Sequence, residues 1–154
     1  MFKTMFWILI VVVIGLIAVG FHRTAKVKIW PEQEQFVHGV VPASSLEGFY
    51  KGSQNLSSKT SWEGKIFFAE SQTGINRFGG KEKYPFKTYT GKGTQDIELE
   101  TFKIDYKTDG NPFWVRPVLD EIVEVGSGKF LGKVHYRLIP GHPFTIGYFS
   151  LEKE

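Results

Sequence analysis

The sequence contains no cysteine, and this absence removes several classes of protein at once. Without thiols the chain cannot form a disulfide scaffold, a cysteine zinc site, a thiolate nucleophile or a lipidated cysteine. The four histidines, His22, His38, His135 and His142, never stand two or four positions apart. We therefore predict no metal site and no cofactor, because a metal site would require distant residues to converge.

Catalytic signatures are also missing. The chain has no Gly-x-Ser-x-Gly, no His-Glu-x-x-His and no phosphate-binding loop. Gly126-Ser-Gly128 and Gly91-Lys-Gly93 resemble fragments of phosphate loops, but neither precedes a predicted helix, as that mechanism requires. We expect both to be turns, and the sequence leans against an enzyme.

A concentrated positive surface is absent from the body of the chain, although the net charge is +3. Lys3, Arg23, Lys26 and Lys28 flank the apolar N-terminal stretch, and the other 15 basic residues face 16 acidic ones. This balance argues against a nucleic-acid partner, since phosphate affinity needs a concentrated basic footprint. The basic flank fits anionic lipid headgroups instead.

An uncharged apolar run does stand out; it begins at Met5 and ends at Phe21. As a helix of 17 residues it would be about 25 Å long, near the lower limit for crossing a hydrocarbon core about 30 Å thick. We predict that it enters the lipid bilayer as a retained single-pass anchor. The alternatives are a cleaved signal peptide, with Ala18-Val-Gly20 as the cleavage site, and a buried core helix. The side of the membrane on which the rest of the chain lies stays open.

The chain divides into three predicted parts: an anchor with its basic flank at 1–28, a stalk at 29–45 and a β domain at 46–154. The stalk is expected to be a docking loop or a short strand. Aromatic residues make up 16% of the chain, which suits strands with a bulky interior.

Seven or eight short strands separated by turn signals predict an antiparallel sandwich or barrel. Residues 73–83 are expected to form a loop, and Pro85 to interrupt a short strand at 84–89. The longest strand is placed at 97–106, with a β-bulge near Glu100 or Thr101 where the apolar phase slips. Residues 113–117 are expected to be extended, and strands 118–125 and 129–138 to flank a three-residue loop.

Charged residues on the predicted hairpin have a structural interpretation. Strand alternation places Asp120 and Glu124 on one face and Glu121 on the other. We expect these carboxylates to form salt bridges with Arg116 or Lys133. Alternation also places His135 on the face of Lys133 and Arg137, which is predicted to be solvated.

The aromatic side chains form the most informative set. Most are expected to point into the domain, where they either fill the core or surround a pocket for one apolar ligand. The inward set is Trp62, Phe67, Phe102, Tyr106, Phe113, Trp114, Tyr136 and Tyr148. Of these, the candidate pocket lining consists of Trp62, Phe67, Phe102, Tyr106, Trp114, Tyr136 and Tyr148, joined by Arg116.

Two motifs resemble a known family. Gly48-Phe-Tyr-Lys-Gly52 is similar to the Gly-x-Trp-x-Gly element of the GXWXG domain, with Tyr50 in place of Trp, and Trp62-Glu-Gly-Lys-Ile-Phe67 resembles the segment that follows. Features further along resemble the uncharacterised companion domain of that family: Asp105-Tyr106, Asn111-Pro112, Arg116, Asp120-Glu121 and Phe130-Leu-Gly132. The resemblance implies a calycin-like or lipocalin-like antiparallel barrel in which Tyr50 closes one end.

Three hypotheses on function follow. The first is a membrane-anchored, noncatalytic barrel that binds a hydrophobic small molecule or lipid in an apolar cavity. The second is an interaction module, which predicts an exposed apolar patch at residues 36–41 or at Phe113 and Trp114. The third is an enzyme with a barrel-interior site built from Asp120, Glu121, Arg116 or a tyrosine, which requires at least two of those groups to converge inside the barrel.

Overall fold

The computed structural model of the chain describes residues 2–54 and 60–154. Within this part of the chain two helices precede eight strands, which pair in chain order into a closed antiparallel barrel, with β8 returning to β1. The all-β antiparallel barrel behind an apolar helix is therefore confirmed, and it is consistent with a lipocalin-like barrel. The elements are α1 Phe2–Val27, α2 Pro31–Val37, β1 Gly48–Gln54, β2 Trp62–Phe68, β3 Thr73–Phe78, β4 Lys81–Lys92, β5 Glu100–Asp105, β6 Val118–Gly126, β7 Lys129–Ile139 and β8 His142–Lys153.

The segment predicted to be a loop at 73–83 is a β-hairpin. Gly79 and Gly80, with φ of 52° and 73°, form its two-residue turn, since glycine adopts the left-handed conformation that such turns need. Strand β4 then passes through Pro85, so the predicted interruption there is wrong. The ladder absorbs the proline with a register shift after Ile75, and Tyr84 takes a positive φ of 60°.

Three further predictions around the strands need correction. Strand β5 starts at Glu100 and pairs with β4 and β6 without a register shift, so the predicted bulge is absent from this strand. The apolar phase slips because residues 94–99 lie in a loop that precedes the strand. Residues 113–117 form turns closed by bonds to the Pro112 carbonyl, at 3.0 Å from the amide of Val115 and 3.3 Å from that of Arg116. Gly126 pairs with Lys129, which leaves a two-residue hairpin loop.

Part of the predicted stalk is the helix α2. Pro31 occupies the first turn and Glu32 and Glu34 follow it, a combination that favours a helix start through the fixed φ of proline and the helix dipole. Phe36 of this helix is fully buried outside the barrel wall. The chain then reaches β6, where Val40 and Glu124 exchange backbone hydrogen bonds of 3.1 and 2.7 Å.

The last two turns of α1 are attached to β8. The guanidinium Nε of Arg23 donates to the Ile146 carbonyl at 2.8 Å, and the Thr145 amide donates to the Thr24 hydroxyl at 2.9 Å. Gly20 allows this approach, since a Cβ there would lie 2.8 Å from the Phe144 ring. The described residues of α1 before Gly20 are largely exposed, and this helix is long and apolar enough to cross a membrane.

The barrel interior is divided along its axis. Aromatic and aliphatic side chains fill the end at which β1 starts, and we call them the plug. Its aromatic members are Tyr50, Phe67, Phe86, Phe102 and Phe130. Ring contacts of 5.4 to 5.6 Å connect Tyr50 to Phe67 and Phe130, and Phe67 to Phe86. The other end of the interior contains a cavity.

Candidate functional site: a barrel cavity with a buried ion pair

A cavity of about 250 Å³ occupies the barrel at the end where β8 starts. Its walls are largely apolar and come from seven strands and the loop between β5 and β6. This volume is just below the range of about 300–1,000 Å³ that is typical of small-molecule sites. The apolar wall residues include Phe78, Tyr84, Val115, Val118, Val134 and Phe149.

A polar network forms the floor of the cavity, between the walls and the plug. The ammonium of Lys65 donates to Asp120 Oδ2 at 2.9 Å, to Asn76 Oδ1 at 3.0 Å and to the Tyr106 hydroxyl. The Tyr106 hydroxyl donates to Asp120 Oδ2 at 3.2 Å and accepts from Asn76 Nδ2 at 2.8 Å. The indole of Trp62 donates to Asn76 Oδ1 at 3.0 Å. We call Lys65, Asn76, Tyr106 and Asp120 the floor network.

The floor network is almost completely removed from water. Lys65 and Asp120 are 2% and 3% exposed, and burial lowers the pKa of Lys65 against the opposing effect of the Asp120 carboxylate. Burial, together with the negative charge of Asp120, raises the pKa of Tyr106 well above its usual value. Four aromatic rings lie within 5.0 to 5.5 Å of the Lys65 ammonium and stabilise its charge.

One atom of this network stands apart. Asp120 Oδ1 is buried and has no hydrogen-bond partner among the described residues, while Oδ2 of the same carboxylate accepts from two donors. A buried carboxylate oxygen without a donor costs free energy, so the site favours any group that brings an N–H or O–H to it. Asp120 also lines the cavity, where such a group would be located.

A second buried ionic cluster lies on the outer face of the same strands. Glu121 accepts from Lys103, from the Thr94 amide at 2.7 Å and from His135 Nε2 at 3.2 Å. Burial by itself would raise the pKa of Glu121, but His135, Lys103 and Thr94 outweigh it and lower the pKa to about 2. His135 is fully buried, so the prediction that it is solvated is wrong, and its Nδ1 lies 3.1 Å from the Thr145 hydroxyl.

The predicted ion-pair partners were also wrong, because Asp120 pairs with Lys65 and Glu121 with Lys103. Lys133 is buried and pairs with Asp96 at 2.6 Å. It also donates to Gln33 of α2 at 2.8 Å. The outward face of β6 and β7 is therefore buried, because α2 and the loop at 93–99 cover it.

The predicted pocket residues fall into different regions. Trp62 and Tyr106 line the cavity. Phe67 and Phe102 lie in the plug, in contact with each other at 6.2 Å between ring centroids. Arg116 lies on the outer surface, where its Nε donates to the Asn111 carbonyl at 2.8 Å.

The remaining predicted residues lie at the wall and rim of the barrel. Trp114 and Phe113 are 56% and 79% exposed, so the expectation that both point inward is wrong. The Tyr136 hydroxyl is on the same side and donates to the Trp114 carbonyl at 3.1 Å. Tyr148 is among the cavity-lining residues, yet its ring packs outward against Phe36 and its hydroxyl donates to Gln33 at 2.5 Å.

Sequence reasoning missed Lys65 and Asn76 as site residues. The signal for Lys65 was present, because it stands two positions before the inward Phe67 and strand alternation gives them the same face. Asn76 lies directly across from Lys65 in the β2–β3 ladder, but it falls in the segment that was predicted to be a loop.

Comparison with known proteins supports the fold and shows neither a family nor a function. No family model matches the chain, and no curated protein matches it. A crystal structure of a protein from Thermomonospora curvata is similar, with a TM-score of 0.53 and 16% sequence identity, over 79% of this chain and 84% of that one. At this identity the likeness shows the fold alone, and the resemblance to GXWXG domains stays a prediction.

Proposed function

We propose that this protein is a membrane-anchored binding protein whose barrel holds one small amphiphile. The apolar cavity over a buried polar floor supports this proposal most directly. Apolar walls with few convergent polar groups are the usual composition of a small-molecule site. In this proposal α1 is a retained single-pass anchor, which its length and apolar composition allow.

The floor network defines the chemistry of the head group. All three donors of the Lys65 ammonium are already used, whereas Asp120 Oδ1 needs a donor. A hydroxyl or amine would supply one, whereas a carboxylate would meet the negative charge of Asp120 at short range. The ligand class is therefore an alcohol or amine with an apolar body, bound with its head on the floor.

Native mass spectrometry of the full chain in lipid nanodiscs tests this proposal. After incubation with decanol, decylamine or decanoate, we expect one equivalent of the alcohol or amine to be retained and little decanoate. Val134→Phe should abolish retention because it fills the cavity from the wall of β7. Val125→Phe is the matched control, since Val125 is exposed at the opposite end. Failure to retain any amphiphile, or equal retention by Val134→Phe, contradicts the proposal.

An enzyme with an interior site is the second candidate. Asp120 and Tyr106 do converge inside the barrel, 3.2 Å apart, which that hypothesis required of at least two of its groups. Glu121 and Arg116 lie outside the interior and have no part in it. Mass analysis of the recovered amphiphile separates the two candidates, because a binding protein returns it unchanged and an enzyme returns a product.

A further inference from the structure

The direction in which α1 leaves the barrel determines which end faces a bilayer. Along α1 from Gly20 to Val27, the contacts on β8 advance from Phe144 to Tyr148. Helix and strand thus run side by side in the same direction. Residues 3–19 therefore continue past the start of β8, beyond the turn between β7 and β8.

The cavity lies at this same end. Gln54 at the end of β1, Trp62 at the start of β2 and Phe78 at the end of β3 all line it. In an antiparallel barrel these positions share the end at which β8 starts. The plug occupies the opposite end, so the cavity opens toward the side from which α1 projects.

The length of the free part of α1 places this end at the membrane surface. Residues 3–19 span about 25 Å at roughly 1.5 Å per residue, which is shorter than a hydrocarbon core of about 30 Å. Since Gly20 is already packed against Phe144, a membrane crossing by residues 3–19 brings the start of β8 to the membrane interface.

Exposed apolar side chains lie at this end of the barrel, on the loop between β5 and β6 and near the end of β7. Phe113, Trp114 and Leu138 are 79%, 56% and 51% exposed, and we call them the rim. Tyr136 connects the rim to the anchor, because its hydroxyl bonds to the Trp114 carbonyl and its backbone pairs with Phe144. Aromatic residues at such a position are typical of the membrane interface.

The charges near the rim agree with a lipid surface. Exposed basic residues outnumber acidic ones in the hairpin that joins β3 to β4 and in the loop that joins β5 to β6. Basic residues near an anionic leaflet are attracted to its negative surface potential. The basic residues are Lys81, Lys83, Lys107 and Arg116, and the acidic ones are Glu82 and Asp109.

We propose that the rim lies in the bilayer interface and that the cavity exchanges its ligand directly with the leaflet beneath it. The contact between rim and lipid rests on the proposed role of α1 as a retained anchor, and the exchange rests in addition on the proposed binding of a ligand in the cavity. An amphiphile that enters head first would keep its tail toward the hydrocarbon throughout its passage. A protein partner on the rim is the competing outcome.

Fluorescence quenching by brominated lipids tests the contact. In a full-length chain with Trp7→Phe, Trp30→Phe and Trp62→Phe, Trp114 is the remaining indole. In nanodiscs we expect a roughly twofold loss of its emission with lipids brominated in the upper acyl chain, and a smaller loss when bromine is at the chain end.

The matched control moves the indole to the opposite end by combining Trp114→Phe with Val125→Trp. Val125 is 43% exposed near the β6–β7 turn, so emission there should be insensitive to bromine. Equal quenching at the two ends overturns the proposal. Absence of quenching at the rim also overturns it, and would favour a protein partner on the rim.

Transfer kinetics test the exchange. Phe113→Ser combined with Trp114→Ser should slow uptake of decanol from donor nanodiscs about tenfold and leave the retained equivalent unchanged, because neither residue lines the cavity. Unchanged uptake overturns direct exchange while the binding proposal stands. If the unsubstituted chain retains no decanol, the binding proposal is wrong, but the quenching result still tests the contact between rim and lipid.

Discussion

At the scale of single residues, Glu121 stabilises the outer wall through charge. Its pKa of about 2 lies below its ordinary value, so its ion pairs favour the folded state above pH about 4.5 and are lost as the pH falls toward 2. The shift corresponds to about 3 kcal/mol. We expect the free energy of unfolding to decline over that range, as measured by urea denaturation at a series of pH values.

The variant Glu121→Gln should remove most of that pH dependence. It should also lose stability near neutral pH, because Lys103 then remains buried without a counter-charge. Glu100→Gln is the control, since the pair that Glu100 forms with Lys92, at 3.7 Å, is exposed. A pH profile of Glu121→Gln identical to that of the unsubstituted chain would contradict this account.

Lys65 and Asp120 form a buried ion pair, and removal of either partner by itself should destabilise the fold. Lys65→Met should cost about 3–5 kcal/mol, because Asp120 is then left buried without its counter-charge. The double variant with Asp120→Leu should recover much of that loss, since no charge is left unpaired. Additive losses in a double-mutant cycle would show that the two side chains are not coupled.

At the scale of single elements, the junction of α1 with β8 depends on a glycine. Gly20→Leu should displace Phe144 and increase hydrogen exchange of the amides at the start of β8 about tenfold. Gly15→Leu on the same helix is the control, because a Cβ there meets nothing within 4 Å. Equal exchange in the two variants would mean that the helix end is not docked.

Two strand glycines, Gly132 on β7 and Gly91 on β4, offer a similar comparison. A Cβ on Gly132 would lie 2.1 Å from the Phe149 ring, which borders the cavity, so Gly132→Ala should cost about 1–3 kcal/mol. Gly91→Ala, with its nearest atom at 3.9 Å, should be close to neutral. Urea denaturation measures both, and a neutral Gly132→Ala would contradict the close approach of Phe149 to Gly132.

The elements also show what the sequence could predict. Alternation placed His135 on the same face of β7 as Lys133, and in the structure both side chains lie on the outer side of the barrel wall. Whether that face is solvated could not be read from alternation, because α2 and the loop at 93–99 cover it from distant parts of the chain. The same limit applies to the floor network, whose members come from four separate regions of sequence.

At the scale of the whole molecule, the sequence predicted an apolar helix followed by an antiparallel sandwich or barrel, and the structure has the helix and a closed barrel. The two expectations for the aromatic residues, a filled core and a pocket, describe different halves of one interior. Which half faces α1 depends on the docking of Gly20 and Thr24 on β8, which no local pattern reveals.

Binding of an amphiphile inside the cavity is the central claim, and Trp62 is the natural reporter because it lies on the cavity wall beside Asn76. The measurement is titration of a full-length chain with Trp7→Phe, Trp30→Phe and Trp114→Phe in nanodiscs, using decanol brominated next to its hydroxyl. We predict saturable quenching of Trp62 at one equivalent, abolished by Val134→Phe and retained by Val125→Phe. Quenching that rises without saturation, or that survives Val134→Phe, would contradict it.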